Sequence, residues 1–395
     1  MNPLVLSSRA TVSSLGSGCE AMFAALRESR SGLRPNDFET PALETWIGRV
    51  DGLEHEPVTG GLDEFDCRNN RLARLGLRQD GFEDAVAQAR ERYGAHRIAV
   101  LIGTSTSGVH ETELAYRRRD RSTGALPPDL RYRYSQNIFS VADFVRRYLE
   151  LKGPAATIST ACSSSAKVFA SAYRLIEAGF ADAAVVGGVD SLCLTTLYGF
   201  GSLELLSRAP CRPCDVERDG ISIGEAAGFV LLERADSGAG KIALLGYGES
   251  SDGYHMSAPH PEGAGVHLAV MQALFRAGLA PDAIDYINLH GTATPANDRA
   301  EDAALHRVFG NTIPCSSTKG WTGHTLGAAG VTEAIISALC LERSWVPGTL
   351  NTRALDPSLR SRIVLTGEQH PLRHVLSNSF GFGGNNCSLV LGMRA

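Results

Sequence analysis

The sequence predicts an α/β fold built from two similar halves. Short apolar runs, which are typical of β-strands, alternate with longer stretches of residues that favour helices. The strand-like runs, among them AAVVGGV, AGFVLLE, YINLH and CSLVLG, are almost continuously apolar rather than alternating. Continuous apolar strands are typical of sheets that helices cover on both faces.

Three pairs of similar segments follow one another in the same order, which indicates an internal duplication. IAVLIGTSTSG at 98–108 and YINLHGTATPA at 286–296 each lead an apolar strand into a Gly-Thr turn. ISTACSSSAKVFASA and SSTKGWTGHTLGAAGVTEA each pass from Ser-Thr through small residues into a helix. GEAAGFVLL at 224–232 and GGNNCSLVL at 383–391 each lead a Gly-rich turn into a strand. We predict two units, 1–247 and 248–395, that meet at a Gly/Ser-rich turn in GYGESSDG at 246–253.

Composition narrows the class of protein. The chain has 395 residues, enough for two domain-sized units, with 43% apolar and 21% charged residues, as in globular proteins. Its net charge of −5 argues against a general nucleic-acid binder. The nine cysteines lack the spacing of a disulfide framework, so we expect a reducing, cytoplasmic location. We expect neither a signal peptide nor a membrane span, since no apolar run approaches the ~20 residues that a span needs.

Cys162 is the candidate nucleophile. A β-type segment ends there in small residues and an Ala-rich helical run follows, so the thiol is predicted at the first turn of a helix. The free N–H groups and the positive end of the helix dipole would stabilise a thiolate and lower the thiol pKa. A sharp strand-to-helix turn would also present the side chain to substrate. The alternative is a buried structural cysteine.

Two histidines have comparable settings. His290 follows the apolar run YINL, and His324 lies in the Gly-rich segment STKGWTGHTLGAAG. One Cys and two His at such turns predict covalent thioester chemistry. Cys211 and Cys214 form a CRPC that could suggest a metal or redox site, but no second ligand pair follows at zinc spacing. We therefore expect no metal.

The motifs around these residues resemble those of the elongating β-ketoacyl-acyl carrier protein synthases, the condensing enzymes of fatty acid and polyketide assembly. The resemblance covers nearly the whole chain and rests on TACSSS, RPCDVERDGISIGEAAG, NLHGTATPANDRAE, SSTKGWTGHTLGAAG and SNSFGFGGNN, which occur in the family's order. It implies a thiolase-like fold with five layers, α-β-α-β-α, and an acyltransferase of the EC 2.3.1 class. It also implies that acyl carrier protein delivers both acyl and malonyl groups on phosphopantetheine, without a further cofactor.

The resemblance implies roles for several residues. Cys162 would hold the acyl group as a thioester, and the backbone N–H groups of Cys162 and Phe382, beside Gly383, would form an oxyanion hole. His290 and His324 would hold the malonyl thioester carbonyl, with His324 also available to orient or deprotonate Cys162. The alternative for GFGG is an ordinary flexible turn.

Six further residues receive supporting roles from the resemblance. They are Lys319, expected to be buried and paired with Glu333, Asp298 as a structural acid together with Glu301, and Thr292 and Thr294 as partners of the pantetheine amides. Each has a plainer alternative. Lys319 could lie on the surface, the threonines could make only local turn bonds, and the two acids could be solvated at a helix start.

A basic surface patch is expected, since acyl carrier proteins are acidic and this chain is itself negative. One candidate is the segment CRNNRLARLGLR, in which the spacing of Arg71 and Arg74, with Arg68 and Arg78, predicts guanidinium groups along one helical face. The other candidate is YRRRDR together with Arg131 and Arg133. The alternative is that these are ordinary solvated charges.

The same residues distinguish the chain from other members of the wider superfamily. A chain-length-factor-like partner subunit usually lacks the nucleophilic Cys, which is present here. A thiolase would need a second Cys in a Cys-Gly-Gly context, which Cys387 lacks, and a chain-starting synthase would have a His–Asn pair. We expect a homodimer, with a heterodimer of related ketosynthases as the alternative. Asn385 and Trp321 depart from the usual Thr and Met, and TACSSS and GGNN resemble polyene or polyketide ketosynthases, so acyl preference is expected to differ from housekeeping synthases.

Overall fold

The computed structural model describes residues 1–39, 43–236 and 238–394. Ten main strands in this part of the chain carry the architecture. They are β1 (Leu4–Ser13), β2 (Ile98–Gly103), β3 (Ala155–Ile158), β4 (Ala183–Asp190), β5 (Ala226–Arg234), β6 (Ile242–Ser251), β7 (Tyr286–Asn288), β8 (Pro314–Ser316), β9 (His374–Gly381) and β10 (Asn385–Met393). Shorter strands lie at Gly16–Ser17, Arg34–Pro35, Trp46–Gly48, Ile223–Gly224, Trp345–Val346, Arg362–Ile363 and Glu368–Gln369.

The α-helices of the described residues lie between these strands. They are α1 (Cys19–Arg27), α2 (Arg68–Leu77), α3 (Phe82–Tyr93), α4 (Val109–Arg117), α5 (Ser140–Tyr148), α6 (Ser164–Glu177), α7 (Leu194–Ser202), α8 (Ala264–Ala277), α9 (Pro295–Phe309), α10 (Lys319–Thr322) and α11 (Ala329–Arg343). None of them is both long enough and apolar enough to cross a membrane.

The strand order confirms the duplication that the sequence predicts. Strands β1–β5, which we call the first half, pair in the order β3-β2-β4-β5-β1, and strands β6–β10, the second half, pair in the equivalent order β8-β7-β9-β10-β6. In each half the first three strands of that order pair in parallel. The fourth strand runs antiparallel to both of its neighbours, the third and the fifth. The halves join where β1 meets β6, through the pairs Leu4↔Leu244 and Val5↔Ala243.

The layers follow from which faces are apolar. Helices α6 and α11 are packed between the two halves of the sheet, and their buried side chains, such as Phe169 and Ile335, share one core with both. Helices α2, α3 and α5 cover the outer face of the first half, while α8 and α9 cover that of the second. The predicted α/β fold with five layers is therefore confirmed. Sheets covered on both faces explain the continuously apolar strands.

One local prediction is wrong. Residues 246–253 do not begin a turn, because Gly246 to Ser251 continue strand β6. The glycines serve close packing instead: a Cβ added at Gly248 would lie 1.8 Å from the carbonyl oxygen of Ala269 on α8. A boundary at residue 247 would fall inside β6, whereas the chain passes from one set of strands to the other between Arg234 and Ile242.

Candidate active site

Cys162 lies in a sharp turn between β3 and α6. Ala161 has a φ of 51°, a left-handed conformation that is uncommon for a residue other than glycine, and α6 begins at Ser164. The Thr160 N–H donates to Ser164 Oγ at 2.9 Å, which closes the turn. Cys162 is buried, with 7% of its surface exposed, and lines a cavity of about 270 Å³. This is the strand-to-helix geometry that the sequence predicts.

The predicted lowering of the Cys162 pKa is wrong for the resting protein. Burial raises the pKa of the thiol to about 12, and although the charge of Lys319 and the Phe382 N–H oppose this, the charge of Asp190 adds to it. Loss of solvation therefore outweighs the helix start, because the thiol is shielded from water. A nucleophilic Cys162 consequently needs a neighbouring base.

His324 is placed to be that base. Its Nε2 lies 3.0 Å from Cys162 Sγ. The backbone of His324 is fixed on both sides, since its N–H donates to the Ser222 carbonyl at 2.7 Å and its carbonyl accepts from the Gly224 N–H at 2.9 Å. The imidazole therefore meets the thiol in a preset orientation.

His290 completes the cluster from the loop after β7. Its ring centroid lies 5.4 Å from that of His324, at an interplanar angle of 82°. Burial, followed by the charge of Lys319, lowers the pKa of both imidazoles well below the usual value, and His324 lowers that of His290 further. Both rings are therefore neutral near pH 7, so each carries one N–H and one free nitrogen.

Lys319 and Glu333 form a buried pair beside His290. Lys319 is 1% exposed, and its ammonium group donates to Glu333 Oε1 and to the His290 carbonyl, with His290 Nδ1 at 3.4 Å. Burial raises the pKa of Glu333 to about 7, and the charge of Lys319 opposes that rise. The surface alternative for Lys319 is wrong, because it would require an exposed ammonium group.

The GFGG segment lies against the nucleophile. A Cβ added at Gly381 would lie 3.1 Å from Cys162 N, and the Phe382–Gly384 turn follows with a φ of 77° at Gly383. The Gly383 N–H donates to the Met256 carbonyl at 2.8 Å, so the turn is fixed rather than free. The ring centroid of Phe382 is 5.6 Å from that of Phe200, and both side chains line the cavity.

Thr292 and Thr294 line the same cavity, with their Oγ1 atoms 2.9 Å apart. A hydroxyl pair on the wall of a narrow channel can bond amide groups of a ligand. The side of the cavity near Phe200 is apolar and includes Leu205 and Ile221. The cavity therefore has a polar wall and an apolar end.

The acids at the start of α9 are structural. Asp298 is 2% exposed and accepts the Cys214 N–H at 2.9 Å, with Arg218 Nε at 3.3 Å. Glu301 accepts the backbone N–H groups of His290 at 2.9 Å and Gly291 at 2.8 Å. Burial raises the pKa of both carboxyls, that of Glu301 to about 7. The alternative of solvated carboxylates is therefore wrong for both.

The prediction of an exposed arginine face on α2 is wrong. Arg68 and Arg74 have side chains only 5% and 8% exposed, and Arg71 is 22% exposed. Each bonds a carboxylate, namely Glu225 and Glu54 for Arg68, Asp66 for Arg71 and Glu56 for Arg74. Asp66 lies just before α2, whereas Glu54, Glu56 and Glu225 come from other segments, and the spacing within the helix reveals none of these contacts.

All six arginines of the second cluster are exposed, and four of them form a separate group: Arg119, Arg121, Arg131 and Arg133. Within the described ranges, no carboxylate lies within 4 Å of them, unlike Arg117 and Arg118, which pair with Glu39 and Asp129. They lie between α4 and α5, in a segment that the second half lacks. This is the more suitable basic surface for an acidic partner.

One site residue escaped the sequence analysis. Asp190, the last residue of β4, is fully buried and accepts hydrogen bonds from the loop after β2 and from the turn after His324. The available signal was a lone carboxylate at the end of the apolar run AAVVGGV.

The cluster of Cys162, His290 and His324 has the donor types of a metal site. Their ligand atoms all lie within 4.8 Å of one another, and zinc accepts both thiolate and imidazole ligands. The ammonium group of Lys319, next to His290, would repel a cation there. The arrangement suits nucleophilic catalysis instead: a thiol, an adjacent neutral base, and N–H groups around one small volume.

Comparisons with known proteins agree with this geometry. Residues 12–237 match the family profile of the β-ketoacyl synthase N-terminal domain, and residues 242–353 that of the C-terminal domain. The 3-oxoacyl-[acyl-carrier-protein] synthase 2 of Rhizobium meliloti (strain 1021) is 33% identical, with 99% of each chain covered. That of Synechocystis sp. (strain PCC 6803) is 31% identical over 98% of this chain and 97% of its own.

Solved structures extend the similarity. A ketosynthase in complex with its chain length factor from Xenorhabdus doucetiae is 42% identical, with a TM-score of 0.89 and coverage of 100% and 98%. The ishigamide ketosynthase/chain length factor is 29% identical, with a TM-score of 0.90 and full coverage of both chains. The chain belongs to the β-ketoacyl synthase family of acyltransferases, as its sequence motifs predict.

Proposed function

We propose that Cys162 accepts an acyl group from acyl carrier protein and that the cavity around it condenses this group with a malonyl unit from a second carrier protein. The observation that carries the proposal is the 3.0 Å contact between Cys162 Sγ and His324 Nε2, with His290 in the same cavity. A non-catalytic chain-length factor would have no use for this thiol–imidazole contact.

The first half-reaction is a transthioesterification. The Cys162 thiol passes its proton to neutral His324 as Sγ attacks the thioester carbonyl, and the resulting oxyanion accepts the backbone N–H groups of Cys162 and Phe382. When the tetrahedral intermediate collapses, the bond to the pantetheine sulfur breaks. His324 returns the proton to that sulfur and becomes neutral again, with the acyl group on Cys162.

The second half-reaction uses the imidazoles as hydrogen-bond donors. For this step neutral His324 carries its proton on Nε2 instead of Nδ1, so that His290 and His324 each donate an N–H to the malonyl thioester carbonyl. The carboxylate leaves as CO₂, and its bonding electrons form an enolate. The enolate carbon attacks the acyl carbonyl on Cys162, so that a C–C bond forms and the C–S bond breaks. The Cys162 thiolate that leaves takes up one proton from solvent, which restores the resting thiol. The neutral state of both rings supports this role, since each carries an N–H without needing protonation.

Phosphopantetheine reaches the site through the cavity, with Thr292 and Thr294 as partners for its amides. We also propose that the exposed arginines at 119, 121, 131 and 133 bind the acidic carrier protein in place of the paired arginines of α2. The unpaired, buried state of all nine cysteines supports a reducing, cytoplasmic location.

We propose that the chain works as a dimer. Among the described strands, β3 lies at the end of the sheet with one unpaired edge, and Tyr116, Tyr132 and Ile138 expose 40–58% of their surface in the same half. A homodimer is the first expectation. The similar complex of a ketosynthase with its chain length factor supports a related subunit as the alternative. Analytical ultracentrifugation of the chain alone should give twice the monomer mass; a monomer would favour the heterodimer.

The central experiment follows the acyl group by intact-protein mass spectrometry. Purified protein is incubated with a panel of acyl-carrier proteins, and the added acyl mass should map to the peptide that contains Cys162. Addition of malonyl-carrier protein should then remove the label and yield β-ketoacyl-carrier protein. Acylation that persists at the native rate in Cys162→Ser would contradict the proposal, while the panel identifies the preferred chain.

A further inference from the structure

Asp190 is a buried carboxylate that the proposed reaction does not use directly. It is fully buried at the end of β4, and among the described residues no Lys, Arg or His nitrogen lies within 4 Å of it. A buried charge without a counter-ion must be held by hydrogen-bond donors, since its desolvation is otherwise costly. Its donors therefore indicate what it stabilises.

Two separate loops supply those donors. From the loop after β2, Asp190 Oδ1 accepts the Thr104 hydroxyl at 2.6 Å, the Ser105 N–H at 2.8 Å and both the N–H and hydroxyl of Thr106 at 3.0 Å. The Ser105 hydroxyl also donates to Oδ2. From the second half, the Gly327 N–H donates to Oδ2 at 2.6 Å. One carboxylate thus links the two halves across the site.

The Gly327 contact fixes the turn that follows His324. The Leu326–Ala328 turn begins two residues after His324, and Leu326 adopts a φ of 50°, which costs free energy unless its surroundings hold it. Gly327 leaves no spare room: an added Cβ would lie 2.7 Å from Ser105 N and 2.8 Å from Asp190 Oδ2. A shift of this turn would carry the His324 imidazole away from Cys162 Sγ.

We propose that Asp190 is a positioning residue that holds the His324 turn in register with Cys162 by binding the Gly327 N–H. This inference rests on the proposed function, because Asp190 would support the proton transfer from Cys162 to His324. A displacement of about 1 Å in a reacting group can cost about 10²-fold in rate. Asp190 touches neither substrate nor reacting atoms and acts through His324.

The test compares three variants. Asp190→Asn keeps the shape but replaces one acceptor oxygen with an amide that opposes the N–H donors, and Gly327→Ala disturbs the same contact from the other side. Asp285→Asn is the matched control, since Asp285 also accepts two backbone N–H groups, from Arg373 and His374, but where strands β7 and β9 begin. The acyl transfer rate to Cys162 is measured over a range of carrier-protein concentrations by intact mass.

Asp190→Asn and Gly327→Ala should each lower kcat for acyl transfer about 10- to 100-fold with little change in KM, because the cavity wall is untouched. Their double variant should lose no more than the worse single variant, since both remove one interaction. Asp285→Asn should keep kcat near native even where its thermal stability falls.

Several results would overturn the inference: native kcat in Asp190→Asn, equal losses in Asp190→Asn and Asp285→Asn, or losses that multiply in the double variant. If Asp190→Asn does not fold, Gly327→Ala decides alone. Alkylation of Cys162 by iodoacetamide needs no carrier and should slow in Gly327→Ala. That measurement separates failure of this inference from failure of the proposed function, in which even the native protein would remain unacylated.

Discussion

The two halves share one strand order but use their equivalent turns differently. After β2 the chain reads Gly-Thr-Ser-Thr from Gly103, and after β7 it reads Gly-Thr-Ala-Thr from Gly291. Thr104 is fully buried and bonds Asp190, whereas Thr292 lines the cavity. The residue before the glycine is Ile102 in the first half and His290 in the second. The same backbone motif thus supports the site in one half and forms it in the other.

A buried carboxylate holds each turn, and its origin differs. Asp190 comes from β4 and also bonds Gly327 of the second half, while Glu301 comes from α9 of the same half as His290. The first half therefore supplies the nucleophile and a link to its partner half. The second half supplies both imidazoles and Lys319. If this division is correct, loss of the nucleophile from the first half should spare decarboxylation, whereas loss of either imidazole from the second half should impair it.

The largest effect is expected from Cys162→Ala. Acylation should disappear and condensation should fall at least about 10³-fold, because no covalent intermediate can form. Decarboxylation of malonyl-carrier protein should continue, since His290 and His324 remain in place. Release of CO₂ is measured alongside intact mass. Loss of both activities in a folded variant would show that the halves do not divide the reaction in this way.

His290→Ala and His324→Ala should differ from each other. Both should lower decarboxylation about 10²–10³-fold, the usual cost of losing one donor to a developing oxyanion. Only His324→Ala should also slow acylation strongly, because Cys162 Sγ contacts His324 Nε2. Single-turnover acylation of the two variants, measured side by side, makes the distinction. Equal acylation rates in the two variants would show that His324 is not the base that deprotonates Cys162.

Much of this division was predictable because its signals are local. Cys162 and the two histidines lie in Gly-rich or small-residue turns, and the repeated segments predicted two similar units, which the equivalent strand orders of the two halves confirm. The predictions that failed depend on contacts with residues outside the element concerned. The spacing of Arg71 and Arg74 predicted an exposed face, but in the structure they pair with the carboxylates of Asp66 and Glu56. The pKa of Cys162 depends on burial, which the helix start does not reveal.

Glycine was the other source of error. In GYGESSDG the glycines of β6 resemble a turn in sequence, yet they serve the close approach of α8. Asp190 went unnoticed because its partners lie in loops at residues 104–106 and 327, far away along the chain. Long-range packing decides both cases.

The carboxylate of the second half should give a pH-dependent stability. Burial raises the pKa of Glu301 from 4.5 to about 7, so the folded state binds a proton that the unfolded state has already released. Stability from this group is therefore complete below about pH 4.5 and is lost as pH rises through 7. Denaturant unfolding from pH 5 to 8 should show a falling free energy of unfolding.

In Glu301→Gln the free energy of unfolding should fall less between pH 5 and 8, by on the order of 2 kcal/mol, than in the native protein. Glu91→Gln, which changes an exposed carboxyl on α3, is the control and should leave the slope unchanged. An unaltered slope in Glu301→Gln would mean that Glu301 is already ionised in the folded protein. Glu301 would then act on the His290 turn through its negative charge as well as through its hydrogen bonds to the backbone N–H groups of His290 and Gly291.

The smallest effect concerns the segment between α4 and α5, which has no counterpart in the second half. Arg131→Glu with Arg133→Glu should raise KM for carrier-linked substrate several-fold, because these exposed charges would attract an acidic partner. The rate with a small acyl thioester should not change, since the cavity is untouched. The carrier-dependent rate of the native protein should also fall with salt, as exposed charges are screened beyond ~8–10 Å. Arg131→Lys with Arg133→Lys keeps the charge and should behave as native.

By contrast, Arg71→Glu breaks the contact with Asp66 and should lower stability and affect both substrates alike. Equal loss on both substrates in the 131/133 variant would show that this segment supports the fold and that the carrier protein binds elsewhere.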